Sequence, residues 1–359
     1  MYELGAGILS ENNRTVRELA RRYNVKTERV DFTTLPLTID ANGIPIPPYS
    51  LRQKMRLIRE GIIYNRLIGR YRQITEHGLL HVHPDLTIPF AEWAKNHRLT
   101  LLTKEFAKYF TGFGYTYFEE VPAAYVLKYY SKRTIQAFLK KAFYKFPDGI
   151  QGLWTTIAKQ HDVLYRVSIA SIKRENTVIG HTNTGTHTFD ALILTSPLDE
   201  ALTFLDAHSE ETDLFSKIAY CDYRTYACVI EGFPKQTGYV SGNFTLKRNG
   251  YPVFWYERYQ DSTLYTFYAL SDWRRSDEDI QTHIAELIRP LGGTIQRIHK
   301  TMRWKYFPHV SGEDMRNGYF DKLEALQGKN HTYYAGELLN FSTVDLSASY
   351  AKQLVERFF

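Results

Sequence analysis

The first residues whose types and spacing could do chemistry lie at the start of the chain, in the stretch "GAGILS" from Gly5 to Ser10. This stretch is one residue short of G-x-G-x-x-G, the loop that holds the phosphates of a dinucleotide at the start of a helix. Such a loop needs a buried strand before its first glycine and a closely packed helix after its third. Here Ser10 replaces the third glycine and the polar "SENN" follows. The stretch is therefore interpreted as something other than a phosphate loop.

Side chains that could do chemistry without a cofactor are sparse. His81 and His83 would share one face of a strand, but no third ligand accompanies them, so no metal site is predicted. No nucleophile triad and no pair of carboxylates at a convincing spacing can be assigned, and the sequence names no catalytic residue. This is typical of a protein whose cofactor supplies the difficult chemistry.

The composition indicates how many domains the protein could form and what kind of ligand it could bind. The 359 residues suffice for two domains or for one large interleaved unit. The 27 Tyr, 21 Phe and 5 Trp favour an aromatic-lined cavity for a hydrophobic small molecule. The net charge is +6, but the basic residues are spread along the chain with acids between them. That pattern predicts a solvated surface and argues against nucleic acid as a partner.

The two cysteines and the absence of targeting signals bear on the compartment. Cys221 and Cys228 lie seven residues apart in what reads as one strand, so they face opposite ways and cannot pair. Free thiols suit a reducing compartment. The sequence holds no apolar run long enough for a transmembrane segment and no apolar signal region at its start. A cytoplasmic protein is predicted.

The elements that must position a site alternate between helices and strands. Thr15 and Glu18 have the spacing of a capping box, and the Asn42-Gly43 pair predicts a turn between two short strands. A long helical stretch with an aromatic middle is predicted from about 51 to about 146. Three strands are predicted between 164 and 197, joined at 175–176 and 183–185. Further strands follow from 214, together with helices at 276–290 and at the C-terminus.

Five segments carry a family resemblance, and they fall in the family's order. They are "YELGAG", "FTGFGYTYFEEVPAAYVLKYY", "DALILTSPLD", "WKYFPHVSGEDMRNGYFDKLEALQG" and "YYAGELLNFSTVDLSASYAKQLVERFF". The chain resembles the flavin amine oxidase superfamily over essentially all of residues 1–359. Within that superfamily it is most similar to the polyenoic fatty acid isomerases, FAD enzymes that move double bonds.

The resemblance implies an α/β (α+β) fold in three interleaved parts. An FAD-binding, Rossmann-like domain would comprise 1–30, 147–205 and 331–359. A mixed-sheet substrate domain would comprise 31–50 and 206–330, and a helical cap 51–146. In the family, a strand, the G-x-G-x-x-G turn, its helix and an acidic residue for the ribose come before "YELGAG". The resemblance therefore implies a truncated domain, a segment supplied by another chain, or a protein that no longer binds FAD as its relatives do.

The resemblance also implies roles for individual residues. The flavin ring would pass Gly5, Ala6 and Gly7, the adenine would meet the backbone of Val167, and Gly336 and Glu337 would lie beside the pyrophosphate and ribitol. The last helix, entered at Thr343 and Val344, would point at the flavin. Phe138 matches a position at the substrate entrance, with Phe113 and Tyr115 as further lining residues.

The implied function is FAD-dependent oxidoreductase or isomerase chemistry on a hydrophobic unsaturated substrate such as a polyunsaturated fatty acid. Hydride would pass to flavin N5 and return to another carbon. The family's carboxylate-binding arginine falls within "TTLPLTIDANG", which has none, and Arg29 is only the nearest. The strand "YRTYACVIEG" lacks the lysine of classical amine oxidases. The alternatives are a flavin oxidase or desaturase, and a non-catalytic remnant that binds a lipid or a partner chain.

Overall fold

The structure is a computed structural model that describes residues 4–5, 7–30, 36–257 and 262–359. The chain starts with Leu9–Ser10 (β1), Arg14–Arg22 (α1), Glu28–Arg29 (β2) and Leu37–Ile39 (β3). The predicted capping box at Thr15 and Glu18 is wrong, because α1 begins at Arg14 with Asn13 as its N-cap residue. An amide of its first turn is satisfied from far along the chain, where Asp345 accepts from the Val16 N–H at 2.9 Å.

The predicted turn at Asn42-Gly43 is confirmed. The Asp40 carboxylate accepts from the backbone N–H groups of Asn42 and Ile44 at 2.8 and 2.9 Å. Beyond the turn the second strand is reduced to a single bridge between Ile39 and Pro45. A proline-rich segment follows, and proline has no N–H with which to extend a ladder.

The helical segment begins where the sequence predicts. It comprises Leu51–Ile68 (α2), Phe90–Asn96 (α3), Thr100–Tyr109 (α4), Ala123–Tyr129 (α5) and Lys132–Leu139 (α6). Ser50 caps α2 in a capping box with Gln53. The segment ends at Leu139, earlier than the predicted 146, because Phe143–Lys145 (β4) is a strand that pairs with β1 and β2.

The next part of the chain is mostly strand. Its elements are Ile150–Ala158 (α7), Ile169–Arg174 (β5), Val178–Thr182 (β6), Gly185–Phe189 (β7), Leu192–Leu194 (β8), Leu198–Ala201 (α8) and Ser209–Phe215 (α9). β5, β6 and β7 form an antiparallel sheet whose turns lie at the two predicted places.

The rest of the chain contains the largest sheet. Its elements are Ala219–Glu231 (β9), Gly238–Val240 (β10), Pro252–Glu257 (β11), Leu264–Ser271 (β12), Asp277–Ile288 (α10), Thr294–His309 (β13), Gly312–Arg316 (α11), Tyr319–Glu324 (α12), Thr332–Tyr334 (β14), Glu337–Asn340 (α13) and Val344–Phe358 (α14). Six strands pair in the order β13-β9-β12-β11-β10-β3, and β14 pairs with β8. The fold is therefore mixed α/β, as predicted.

The inner strands β9, β11 and β12 of this sheet are largely buried on both faces, and neighbouring side chains on each strand point to opposite faces. One face packs against α10 through Trp255, Phe267 and Ile284. The other face turns Tyr223 and Tyr268 toward the helical segment. Each face therefore meets a different apolar layer.

The cysteines follow the same alternation. Cys221 belongs to the core against the helical segment and Cys228 to the core against α10, and both are free. Burial raises the pKa of each thiol to about 12, so both stay protonated. In the described part of the chain, no helix combines the length and the apolar character needed to cross a membrane.

Candidate functional site

A cavity of about 2210 Å³ lies where the N-terminal segment, the helical segment, the six-stranded sheet and the start of α14 meet. Pockets for a single drug-sized ligand are typically about 300–1,000 Å³. This cavity is therefore large enough for an extended cofactor together with a second molecule.

The structure gathers most of the predicted site residues at this cavity. Nine of them line it: Gly5, Gly7, Phe113, Tyr115, Phe138, Gly336, Glu337, Thr343 and Val344. These residues come from both ends and the middle of the chain, so the fold places them together. Ala6 lies outside the described residues.

Val167 is the predicted residue that the structure leaves elsewhere. It precedes β5, which begins at Ile169, so it does not lie on the strand that the sequence suggested. It is half-buried beside the three-stranded sheet and is absent from the cavity wall. Its neighbour Ser168 donates its N–H to the Asn183 side chain at 2.8 Å, which ties this segment to a turn of that sheet.

The turn between β14 and α14 forms one wall. Gly336 has a φ of +130°, a conformation that side chains rarely adopt, and an added Cβ would lie 3.3 Å from the Thr195 carbonyl oxygen. Glu337 is exposed to the cavity. Desolvation by the protein around its carboxylate raises the pKa of Glu337, and the nearby Ser342 side chain opposes that rise.

The same turn is strained at Phe341, a non-glycine residue with a φ of +92°. Such backbone conformations cost about 1–3 kcal/mol and persist when packing over-determines them. Here the ring packs 4.9 Å from the centroid of Tyr115 and 5.5 Å from that of Tyr129. This packing sets the path by which the chain reaches Thr343, whose hydroxyl accepts from the Leu346 N–H at 3.2 Å and caps α14.

The N-terminus of α1 also reaches the cavity, but its amides are already engaged. The Asp345 carboxylate accepts from the Val16 N–H at 2.9 Å and lies near the backbone of Arg14 and Thr15, while the Arg14 N–H donates to the Asn12 carbonyl oxygen at 2.8 Å. Burial raises the pKa of Asp345, and the hydrogen bond from the Val16 N–H opposes the rise. The helix after "GAGILS" therefore has its Val16 amide engaged by this carboxylate and its Arg14 amide by a backbone carbonyl.

A second wall is a connected series of aromatic rings that sequence reasoning largely missed. Tyr115, Tyr306, Tyr223 and Tyr268 stack in that order, with centroid distances of 5.6, 5.5 and 5.7 Å and interplanar angles of 21–25°. The series continues to the predicted Phe138 through Phe254, Tyr239 and Tyr109. The strand residues could have been found by asking which alternate side chains of the sheet face the helical segment.

Two glycines allow the helical segment to pack closely against the tyrosines of this wall. Gly114 has a φ of +91°, and a Cβ there would lie 2.8 Å from the Tyr223 ring. The Tyr223 hydroxyl donates to the Gly112 carbonyl oxygen at 3.0 Å. The glycines of "TGFGY" therefore fit the helical segment against the sheet and hold the tyrosine between them.

A buried lysine, unanticipated from the sequence, lies at the cavity wall. The Lys128 ammonium donates to the Gly78 carbonyl oxygen at 2.8 Å and to that of Glu76. Gly78 in turn donates its N–H to the Asn340 side chain at 2.9 Å. Burial lowers the pKa of Lys128 to about 7, and burial with the nearby Lys128 charge lowers the pKa of His77. The site therefore contains a buried lysine that can change protonation near neutral pH.

The predicted strand at His81 and His83 is wrong. His81 has a φ of +51° and lies in a loop, where its ring pairs with Asp321 at 2.7 Å. His83 faces Asp85 at 3.5 Å. Within the described ranges, no group of three His, Cys, Asp or Glu side chains is arranged to hold a metal ion.

Three comparisons place this architecture among known proteins. The crystal structure of the CLA-producing fatty acid isomerase from P. acnes is similar with a TM-score of 0.93 and 30% sequence identity, over 100% of this chain and 87% of that one. The FAD-dependent oxidoreductase dpasF of Apiospora sacchari is 26% identical, over 86% of this chain and 69% of that protein. A double mutant of putrescine oxidase shares the fold, with a TM-score of 0.75 at 13% identity.

The family assignment rests on a match over most of the chain. Residues 1–337 match the model of the flavin containing amine oxidoreductases. The chain belongs to the flavin-containing amine oxidoreductase family.

Proposed function

We propose that this protein is an FAD-dependent oxidoreductase that isomerises double bonds in a hydrophobic unsaturated substrate such as a polyunsaturated fatty acid. The observation that carries the proposal is the cavity itself. It is lined both by a backbone wall with two glycines and a helix start and by a wall of stacked tyrosines. The similarity to the P. acnes isomerase supports the choice of substrate class.

The residues of the backbone wall fit a flavin. Gly5 has open space where a Cβ would project, and Gly336 keeps a conformation suited to glycine, so both allow a close approach of backbone to a cofactor. The Ser347 hydroxyl is buried at the same wall and finds no hydrogen-bond partner among the described residues. We propose that Gly5, Gly7, Gly336, Glu337, Thr343 and Val344 hold the flavin and ribitol. When bound, the flavin supplies an acceptor and donor of hydride.

The phosphates of FAD need a further segment. A phosphate cradle uses free amides at a helix start, but at α1 the Val16 N–H donates to Asp345 and the Arg14 N–H to the Asn12 carbonyl oxygen. We propose that a glycine-rich segment outside residues 1–359, on the same or on another chain, completes the cradle.

The aromatic wall would bind and orient the substrate. Its side chains exclude water, and tyrosine faces tolerate positive charge that develops on a neighbouring carbon skeleton. At the entrance, Lys132, Arg133 and Lys141 line the cavity beside Phe138. These cations could bind a carboxylate in place of the arginine that the sequence lacks near residue 40.

A flavin oxidase or desaturase is the second candidate, because the family is defined by oxidoreductases. The two reactions differ in whether they consume an electron acceptor. An isomerase returns the hydride to the substrate and consumes no acceptor, whereas an oxidase or desaturase passes electrons to oxygen or another acceptor.

The test combines flavin retention with turnover. The purified chain is incubated with FAD and desalted, first alone and then together with a polypeptide that carries the glycine-rich segment, and the completed site should retain visible flavin absorbance. It should then convert a fatty acid with two methylene-separated double bonds into a conjugated diene without oxygen uptake. Phe138→Ala should reduce turnover, whereas Phe189→Ala, at an exposed phenylalanine on β7, should not. Oxygen uptake matched to product would favour the oxidase. A protein that retains no flavin and binds fatty acid unchanged would favour a non-catalytic role.

We also propose a cytoplasmic location. Cys221 and Cys228 are both free and buried on opposite faces of one sheet, as expected in a reducing compartment. Fractionation of cells that express the intact protein would test this.

A further inference from the structure

The outer face of α2 is apolar where a surface helix is normally polar. Leu51, Met55, Ile58 and Ile62 are 75%, 65%, 64% and 50% exposed. We call these four residues the α2 stripe. They recur at intervals of four, three and four residues, so at ~100° per residue they fall within about 60° of the helix circumference.

The α2 stripe is separate from the face by which α2 is anchored. Tyr64, Leu67 and Ile68 are buried in the main core, on the opposite side of the helix. Glu60 is buried on that side too, and its carboxylate accepts from the Leu101 and Leu102 N–H groups at 2.7 and 2.9 Å. The C-terminal half of α2 is therefore fixed, and its N-terminal half projects the stripe into solvent.

The charges beside the α2 stripe are all positive. Arg52, Lys54 and Arg59 are exposed along the same turns, and Arg66 follows one turn beyond the stripe. The helix contains a single acid, Glu60, whose Oε1 accepts from the Arg56 Nε at 2.8 Å. An apolar strip bordered by cations is the pattern of a helix that lies in the interface of an anionic bilayer.

We propose that α2 docks this protein on the surface of an anionic lipid membrane. Charge selects this occupant over a second copy of the chain, because a two-fold contact would set the same basic borders against each other. Ile44, which is 60% exposed, and Ile46, which is 41% exposed, lie just before α2 and extend the apolar surface. At the other end, Ile68 and Gly69 line the cavity. The C-terminal end of the docking helix therefore lies at the cavity wall.

The experiment is co-flotation of the protein with vesicles and needs neither flavin nor substrate. Vesicles of phosphatidylcholine alone are compared with vesicles of equal parts phosphatidylcholine and phosphatidylglycerol. Binding is expected only to the anionic vesicles and should weaken as salt rises. Ile58→Ser/Ile62→Ser should lower the partition coefficient about tenfold or more, and Arg52→Gln/Arg59→Gln should remove the preference for anionic lipid.

The matched control is Val355→Ser, at an exposed aliphatic residue on α14, which should bind like the wild type. Circular dichroism and thermal unfolding show whether each variant is folded. Equal binding of the stripe variant and the wild type would overturn the proposal. So would a stable dimer in lipid-free sedimentation that Ile58→Ser/Ile62→Ser dissociates. Because the assay is independent of flavin, failure of the proposed function would leave its result unchanged.

Discussion

The two walls of the cavity are built differently. The aromatic wall consists of side chains that satisfy one another, with Tyr223 stacked on Tyr306 and hydrogen-bonded to Gly112. The backbone wall consists of turns and helix ends, and it keeps open space at Gly5 and an unpartnered hydroxyl at Ser347 among the described residues. The aromatic wall makes its contacts within the protein, whereas the backbone wall keeps space and a hydroxyl group that a ligand could contact. Changes at the first should therefore cost stability, and changes at the second should cost binding.

Gly114→Ala should have the largest effect. The new Cβ would lie 2.8 Å from the Tyr223 ring, and the φ of +91° is unfavourable for alanine. Backbone strain and overpacking together predict a loss of about 3 kcal/mol in the free energy of unfolding. Urea denaturation measures it. A loss below about 1 kcal/mol would mean that the aromatic wall yields easily, and the contrast between the walls would fail.

Lys128→Met should change how stability depends on pH. The pKa of Lys128 in the folded protein is about 7, below that of a lysine in water. Between pH 7 and about 10 the unfolded chain holds a proton that the folded protein has released, so this lysine's contribution to stability rises with pH. The variant loses the hydrogen bonds to Glu76 and Gly78 at every pH. The stability gap between wild type and variant should therefore widen, on the order of 2 kcal/mol, from about pH 6 to about pH 9.

The control for this measurement is Lys132→Met, at an exposed lysine that also lines the cavity. The Lys132 side chain is exposed, so its removal should change the free energy of unfolding by no more than about 0.5 kcal/mol. A stability gap for Lys128→Met that stays constant over the same pH range would show that its ammonium remains charged in the folded protein.

Asp345→Ala should have a smaller effect, at the junction of α1 and α14. The substitution removes the acceptor for the Val16 N–H and exposes the first turn of α1 without a cap. Loss of a helix cap typically costs about 1–2 kcal/mol. Asp345→Asn keeps an oxygen acceptor and should restore part of that loss in urea unfolding. If both substitutions are neutral, the contact between the two helices does not stabilise the N-terminal segment.

The sequence predicted the local elements well because their signals are local. Periodicity and turn chemistry placed the helix from Leu51, the Asn42-Gly43 turn and the strands around residue 180. The start of α1 was missed because its acceptor, Asp345, lies 329 residues away. His81 was misread for a similar reason, since its loop conformation depends on Asp321.

The candidate site was predictable only in part. The family resemblance predicted the glycines and Glu337, because these residues belong to short sequence motifs. The aromatic series joins residues from the helical segment and from five strands, among them Tyr115, Tyr268 and Tyr306. No local pattern in the sequence records which strands become neighbours. Lys128 could not be foreseen either, because only the packed structure shows that an ammonium there is buried.

Gly5→Ala should have the smallest effect on stability and makes the sharpest comparison with Gly114→Ala. The same methyl group is added, but at Gly5 no atom of the described structure lies within 4 Å of the new Cβ. The free energy of unfolding should therefore change by no more than about 0.5 kcal/mol. If a flavin passes this backbone, the methyl group would meet the cofactor instead, and FAD should be lost faster on desalting. Unchanged retention alongside unchanged stability would place the flavin elsewhere in the cavity, while the lower stability of Gly114→Ala would still stand.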